Sequence, residues 1–332
     1  VLFRSILRYV MEVPVKWEQF TDTMATAASN NLPQGLEDCA LALDSEYKKD
    51  PVGKRLIQKL SKPKKDGTWN EDPELLDQLY EYCKQDVRTE MAVAIQLRAL
   101  SSNEQAIWVL TQKINERGVP VDPNELQNAL NTVHNAKNEV NIEIQGITGG
   151  VSANQVPRLL GWLQTQWCTL EDLTGETVEK KLLDKNLSPN VRRVLELRQL
   201  GSATSVAKYE KMLEVQVGGR IRNTLVYHGA STGRWASRGG LNLQNIARPS
   251  LGDAEIEEAN ERILVRGEGG TMEELSSLVR SAIKAPDGFT FIDADFSSIE
   301  NRVASWIAGQ NDKVELFRQG LDEYKAFASS AL

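Results

Sequence analysis

Cysteine and histidine are scarce in this sequence. The 332 residues include three cysteines and two histidines. Cys39, Cys83 and Cys168 stand far apart and form no Cys-x-x-Cys pair. This spacing argues against a zinc module and against a disulfide framework. We therefore expect a protein of the reducing cytoplasm.

Long apolar runs are missing as well. No stretch approaches the roughly 20 apolar residues that a membrane-spanning helix needs, and no signal peptide is recognisable. We therefore expect no membrane partner. A hydrophobic content of 41% and a charged content of 26% are ordinary for a globular protein. At roughly 150 residues each, the length suggests two or three domains.

The net charge of −7 argues against a nucleic-acid binder, but the charge is unevenly distributed. Residues 191–250 contain ten basic and three acidic residues, so this segment carries +7 and the rest of the chain −14. A basic stripe in an acidic protein is typical of a surface that follows phosphates. The alternative is a set of solvated helix faces.

A second basic cluster, for which a solvated loop is the favoured interpretation, consists of Lys54, Arg55, Lys59, Lys62, Lys64 and Lys65.

Helical patterns dominate the first two thirds of the chain. Apolar residues at spacings of four predict a helix over residues 73–97. Asp122 followed by Pro123 predicts a helix start, because Asp caps and Pro suits the first turn. Ser188 before Pro189 predicts another, and Ser152 with Gln155 suggests a further capping box. Residues 220–227 and 289–295 are predicted to be strands, and a helix over 298–309 follows the second. The fold class is therefore α+β.

The second predicted strand leads into carboxylates. Hard cations such as magnesium prefer carboxylate ligands, and Asp295 stands where a strand end could hold it in place. Asp293 would point to the same face of the strand, although it is the weaker candidate. Glu300 follows in the next helix, where it could form a polar gate beside the metal. The alternative is that Asp295 caps that helix.

Residues 295–302, Asp-Phe-Ser-Ser-Ile-Glu-Asn-Arg, resemble motif A of the family A DNA polymerases. The resemblance implies that Asp295 binds catalytic magnesium and that Glu300 excludes ribonucleotides. Ser298 departs from the glutamine that is common in the bacterial enzymes. The residues that follow, 303–309, are more similar to phage members of the family.

A second resemblance lies upstream. Residues 227–235 contain Thr-Gly-Arg, and Asn-Leu-Gln-Asn follows at 242–245, an order that the family shares. Since this element contacts the primer end in the family, the resemblance implies DNA-binding roles for Arg234, Asn242, Gln244 and Asn245. Arginine can fork onto phosphate or base acceptors, and amides offer both donors and acceptors. The alternative is a polar surface loop.

A third resemblance is partial. Tyr82 and Asp86 lie one helical turn apart, similar to the third motif of proofreading 3′–5′ exonucleases, where Asp binds metal and Tyr orients water. A plain helix-surface pair is the alternative. Residues 44–46, Asp-Ser-Glu, have the letters of the first exonuclease motif, but they run into a charged stretch and are interpreted as a chance match. The exonuclease site is therefore expected to be incomplete.

Together, these resemblances imply a piece of a phage-type family A DNA polymerase. Residues 1–100 would be the C-terminal part of an exonuclease-like domain, 101–217 a helical thumb, and 218–332 the first half of an antiparallel-sheet palm. Primer–template DNA, deoxynucleoside triphosphates and Mg²⁺ would be its partners, and the complete enzyme would be a monomer. Since the family's fingers helix and second palm carboxylate would follow residue 332, we expect this chain alone to be inactive. A non-catalytic DNA-binding protein and a stand-alone 3′–5′ exonuclease are the alternatives.

Overall fold

A computed structural model describes residues 2–47, 53–202 and 205–331 of the chain. The chain divides into two compact units, Val1–Lys284 and Ala285–Leu332. Helices dominate both units, and none of the helices in the described ranges is long and apolar enough to span a membrane.

In the described residues, six α-helices and a short 3-10 helix (Trp17–Gln19) precede the first strand. The α-helices are α1 (Leu2–Tyr9), α2 (Thr23–Ser29), α3 (Leu36–Ala42), α4 (Gly53–Leu60), α5 (Pro73–Ala94) and α6 (Ser102–Arg117). The helix predicted over 73–97 is confirmed as α5. It begins where it does because the Asp72 carboxylate accepts hydrogen bonds from the backbone N–H groups of Glu74 and Leu75, which would otherwise lack partners at a helix start.

Five more helices form the middle of the chain. They are α7 (Pro123–Thr148), α8 (Val156–Thr165), α9 (Gly175–Leu182), α10 (Pro189–Gly201) and α11 (Ala207–Val215). The predicted starts at Asp122 and Ser188 are confirmed, since both side chains accept hydrogen bonds from the first turn. The capping box predicted at Ser152 is wrong. The side chain of Gln155 accepts from the Ser152 N–H in a turn, and the helix begins only at Val156.

Helix α7 passes through two apolar cores. Leu126 and Val133, in its first half, pack in one core with Tyr209 of α11 and Ile263. Ile144, near its end, packs in a second core of residues from α8 and α10. The first core also contains residues after position 218, namely Ile221, Leu241, Ile246, Leu264, Leu275 and Leu278. The long helix therefore ties the middle of the chain to the segment that follows it.

Short helices complete this first unit. They are α12 (Asp253–Ala259), a π-helical segment (Asn260–Val265) and α13 (Met272–Ser277). The hydroxyl of Tyr209 donates to the carbonyl of Leu275 at 2.7 Å, and burial raises the pKa of this phenol far above its ordinary value. The buried hydroxyl therefore has a partner, as a buried polar group requires.

Sheet structure in the described residues consists of two short antiparallel ladders and an isolated antiparallel bridge between Val121 and Ile283. β1 (Val119–Pro120) pairs with β2 (Arg220–Ile221), and β3 (Leu225–Val226) pairs with β4 (Ala236–Ser237). The continuous strand predicted over 220–227 is wrong, because Asn223 has a φ of 58°. A left-handed residue breaks the extended backbone, and Asn tolerates that conformation better than most residues do.

The strand predicted over 289–295 is also wrong. These residues are exposed and have no regular secondary structure, and they pair with no strand in the described ranges. Sheet formation requires a neighbour that satisfies the backbone N–H and C=O groups. The helix predicted over 298–309 is confirmed as α14 (Ile299–Ile307), and α15 (Asn311–Arg318) and α16 (Glu323–Ala331) follow it. The α+β class therefore holds with far less sheet than was expected.

Gly118 is a position where only glycine fits. It ends α6 with φ 71° and ψ 172°, a region that is almost restricted to glycine. A Cβ atom there would lie 2.7 Å from the carbonyl oxygen of Ile221. The close approach of β2 to the end of α6 therefore depends on the missing side chain.

We expect Gly118→Ala to lower the free energy of unfolding by about 2–4 kcal/mol, because backbone strain and overpacking add. Gly149→Ala is the matched control. Gly149 also has a positive φ, 75°, but a Cβ there would meet no atom within 4 Å, so its cost should be about 1 kcal/mol. Urea denaturation followed by circular dichroism measures both, and equal losses would contradict the role of the contact.

Candidate nucleic-acid interface and acidic site

The Thr-Gly-Arg element forms a tight turn between β3 and β4. The N–H of Gly233 donates to the carbonyl of Ala230 at 2.9 Å, and the N–H of Ala230 donates to the carbonyl of Arg234 at 3.1 Å. Gly229 is close to the returning strand, since a Cβ there would lie 2.4 Å from the Cβ of Ala236. The turn presents the exposed side chain of Arg234 at the end of a short hairpin.

The Asn-Leu-Gln-Asn element is joined to this hairpin by hydrogen bonds. Residues Leu243–Asn245 form a 3-10 turn that Asn242 caps by accepting from the N–H of Asn245 at 3.1 Å. The single proton of the Ser237 hydroxyl serves either Asn242 Oδ1 at 2.7 Å or Gln244 Oε1 at 3.0 Å. Gln244 Nε2 donates to the carbonyl of Trp235 at 3.3 Å. The structure thus brings both elements, with their exposed amides and Arg234, into one region of the surface.

Helix α6 is joined to the hairpin by side-chain hydrogen bonds. The buried side-chain amide of Asn115 exchanges two hydrogen bonds with the backbone of Leu225, at 2.8 and 2.9 Å. Trp235 Nε1 donates to the hydroxyl of Thr111 at 2.9 Å. The hydroxyl of Tyr227 donates to the carboxylate of Glu104. Burial, and then this hydrogen bond, raise the pKa of Tyr227 far above its ordinary value, so the phenol keeps its proton.

Sequence reasoning missed these supporting residues. The amide of Asn115 gave no sign in the sequence of a partner 110 positions away. Glu104, Thr111 and Ser237 likewise act through contacts that are distant in the chain or depend on the turn. No periodic or motif signal distinguishes such residues from ordinary surface positions.

The basic stripe over residues 191–250 is divided between structural and surface roles. Arg192 donates to the carbonyls of Leu182 and Asp184 at 2.9 and 2.7 Å, and Arg193 pairs with Glu143 at 2.6 Å. Two other guanidinium groups of the stripe, those of Arg220 and Arg222, also donate to backbone carbonyls. Arg238 and Arg248 are exposed on either side of the Asn-Leu-Gln-Asn element. Fewer positive charges of the stripe are therefore available to a ligand than the net charge of +7 suggests. The exposed arginines of the stripe adjoin the Arg234 hairpin.

The acidic segment lies in the second unit. Asp293 and Asp295 are exposed in the irregular residues before α14. The interpretation of Asp295 as a helix cap is wrong. The cap position is Ser298, with a φ of 53°, and no side chain caps this helix. Glu300 lies in the first turn of α14, where negative charge is favourable.

Tyr82 and Asp86 lie on α5, but they are not a plain surface pair. Tyr82 is only 5% exposed, and a Cβ at Gly53 would lie 1.9 Å from its ring. Asp86 Oδ1 is shielded from solvent and has no hydrogen-bond partner among the described residues. Such an oxygen is costly to bury, so it requires an explanation. Residues 44–46 lie in a turn, not on a strand, as expected for a chance match.

The family model described as DNA polymerase family A matches residues 123–332, more than half of the chain. The chain belongs to DNA polymerase family A. The matched residues of this family A chain include both the Arg234 hairpin and the Asp295 segment.

Three polymerases are similar to this family A chain. The DNA polymerase of Bacillus phage SP02 is 32% identical over 342 residues, which cover 96% of this chain and 51% of the phage protein. DNA polymerase I of Chloroflexus aurantiacus is 32% identical over 159 residues, or 47% of this chain and 14% of that protein. The DNA polymerase of Escherichia phage T5 is 23% identical over 242 residues, or 67% of this chain and 25% of that protein. The chain thus spans about half the length of the SP02 relative and less of the others.

Magnesium suits the donor chemistry of Asp295, because hard cations prefer carboxylate oxygens. One carboxylate is not a complete site, and two-metal chemistry requires more. Within the ranges that the structure describes, no three side chains of the His, Cys, Asp or Glu type come together as a metal cluster. Metal binding by Asp295 and by Asp86 therefore stays a prediction.

We expect Asn115→Ala to loosen the hairpin, because removing a buried amide leaves the backbone groups of Leu225 without partners at a cost of about 1–3 kcal/mol. The backbone N–H of Leu225 should exchange with deuterium faster by about 5- to 150-fold, the equivalent of that range. Asn103→Ala, at an exposed position of the same helix, should leave the exchange unchanged. An unchanged exchange rate in Asn115→Ala would show that the Asn115 side chain does not hold the hairpin against α6.

Proposed function

We propose that the protein containing this chain is a DNA-directed DNA polymerase that extends a primer by template-directed nucleotidyl transfer. The observation that carries the proposal is the joined surface of the Arg234 hairpin and the Asn-Leu-Gln-Asn turn, since both elements of the resemblance share hydrogen bonds through Ser237 and Gln244. Membership of DNA polymerase family A supports the same activity.

The exposed groups on this surface suit a primer–template. Arg234 would direct its guanidinium to phosphate or to base acceptors in the minor groove. Asn242, Gln244 and Asn245 would offer amides to base edges and sugars, and the flanking arginines would add phosphate contacts. The hydrogen bonds from α6 to the hairpin would position these groups in advance, so that less conformational freedom is lost on binding.

Asp295 would be the ligand through which this chain holds magnesium, and the metal, when bound, would stabilise the charge that develops during phosphoryl transfer. Glu300, five residues later on α14, would set the choice of sugar by disfavouring a ribose hydroxyl. Both residues lie on the segment that resembles motif A, and the family match extends over it.

A proofreading remnant is the second activity that an observation favours. Asp86 Oδ1 lacks a partner among the described residues, and a cation would supply one. We propose that Tyr82 and Asp86 belong to a 3′–5′ exonuclease site. Residues 44–46 would not be among the other metal ligands of that site. In this view residues 1–100 are exonuclease-like, 101–217 a thumb and 218–332 part of a palm.

Arg234→Ala should weaken binding to a primer–template by about tenfold while changing affinity for blunt duplex little, because the hairpin is proposed to contact the primer end. Fluorescence anisotropy with the two labelled DNAs measures this. Arg266→Ala is the control, since Arg266 is exposed but pairs with Glu261 at 3.1 Å. Equal loss on both DNAs would count against a primer-end contact, and affinity that does not fall with salt would count against phosphate binding.

Asp295→Asn should abolish primer extension by the protein that contains this chain and leave DNA binding intact, because only a metal ligand is removed. Glu300→Ala should instead raise incorporation of ribonucleotides relative to deoxynucleotides. Asp287→Asn, at an exposed turn of the same unit, should behave as the unmodified protein. The 332-residue chain alone should show no extension. Extension by Asp295→Asn would overturn the assignment of the metal ligand.

A further inference from the structure

Helix α4 and the turn that follows it carry an exposed row of cations. The helix buries Leu56 and Leu60, and it exposes Arg55 and Lys59. Residues four apart on a helix share a face, so these two cations lie side by side. The exposed lysines of the turn, Lys62, Lys64 and Lys65, continue the row along the chain. We call these five residues, with Trp69, the α4 basic surface.

The turn that presents the lysines is ordered by its own hydrogen bonds. The N–H of Lys64 donates to the carbonyl of Thr68 at 2.7 Å, and the N–H of Gly67 donates to the carbonyl of Lys64 at 2.9 Å. Asp66, the acidic residue in this stretch, accepts from both the N–H and the hydroxyl of Thr68, at 3.0 and 2.7 Å. Its carboxylate therefore stabilises the turn and is not paired with a neighbouring lysine.

The cations of this surface are unpaired among the described residues. In the parts of the chain that the structure describes, none of the five forms an ion pair with a carboxylate. Lys84 on α5, by contrast, pairs with Glu81 at 2.6 Å. Adjacent unpaired cations concentrate positive potential, which favours a partner with regularly spaced negative charge.

The exposed ring of Trp69 indicates a partner with unpaired bases and not merely any polyanion. Its indole is 55% exposed and follows the lysine turn directly. Exposed aromatic rings beside a basic groove are how proteins stack unpaired bases while cations hold the backbone. A duplex hides its base faces, and an acidic peptide has none, so either would leave the indole unused.

We propose that the α4 basic surface binds single-stranded DNA, with phosphates on the cations and a base stacked on Trp69. The inference goes beyond the proposed polymerase function, because it requires neither Asp295 nor the Arg234 hairpin. Its place in the fold agrees with a single strand near the proposed exonuclease pair, since the first residue of α4, Gly53, lies against the ring of Tyr82.

The first test measures anisotropy of labelled (dT)20 with the 332-residue chain over a series of salt concentrations. The double variant Lys64→Ala, Lys65→Ala should bind more weakly, and its salt slope should fall by about 1.4, or about 0.7 for each lost phosphate contact on a single strand. Lys84→Ala, which removes a paired lysine from the adjacent helix, should match the unmodified chain. The substituted side chains are exposed, so these variants should fold.

The second test isolates the stacking contact. Trp69→Ala should weaken (dT)20 binding by about 5- to 150-fold, the range for a lost base–aromatic stack, and Trp69→Phe should retain most of the affinity. Oligonucleotides that contain 5-iododeoxyuridine should crosslink to Trp69 on irradiation. Polyglutamate should compete poorly.

Two results would overturn the proposal. Affinity for (dT)20 that is unchanged in the lysine and Trp69 variants would show a solvated surface. A loss in the lysine variant alone, with polyglutamate as an equal competitor, would show a general polyanion surface without base stacking. Neither result bears on the polymerase assignment, which Arg234→Ala tests separately on primer–template DNA.

Discussion

The burial of two apolar faces on one helix is the constraint on which the first unit depends. Leu126 and Ile144 of α7 are fully buried, but in different cores. Burying a side chain of this size contributes about 1.5–3 kcal/mol, and α7 gains such contacts along most of its length. Because the first core also includes Ile221 and Leu241, the helix determines where the last part of the first unit, after residue 218, lies. The Arg234 hairpin is thereby placed on a rigid base.

The hairpin itself is too small to be stable alone, since two-residue strands offer few ladder hydrogen bonds. The side chain of Asn115 compensates by pairing with Leu225 as a neighbouring strand would, and Trp235 adds a bond to α6. The exposed groups proposed to touch DNA are therefore positioned by buried polar contacts. This division between exposed contact residues and buried supporting residues is what a preorganised binding site requires.

The positively charged side chains are also divided between those that are paired within the fold and those that are exposed. Arg192 and Arg193 are engaged by carbonyls and a carboxylate within the fold, so their charge is of little use to a partner. Lys64 and Lys65 have no such partners in the described residues, and they lie exposed in a turn, as the prediction of a solvated loop requires. Net charge in a segment thus overestimates the charge that is available to a partner, because only the packing shows which cations are already paired.

The sequence by itself determined the features that depend on neighbours within a few residues. The helix starts at Asp122 and Ser188 follow from side chains that cap their own first turns, and the ordered motifs agree with the family that the comparison found. Tertiary structure alone decided the rest. Whether residues 289–295 became a strand depended on a partner remote in sequence, and a run of apolar residues contains no information about that partner. The support of the Arg234 hairpin by Asn115, 110 positions away from Leu225, could only emerge from packing, because a lone amide makes the same local pattern whether or not a partner reaches it.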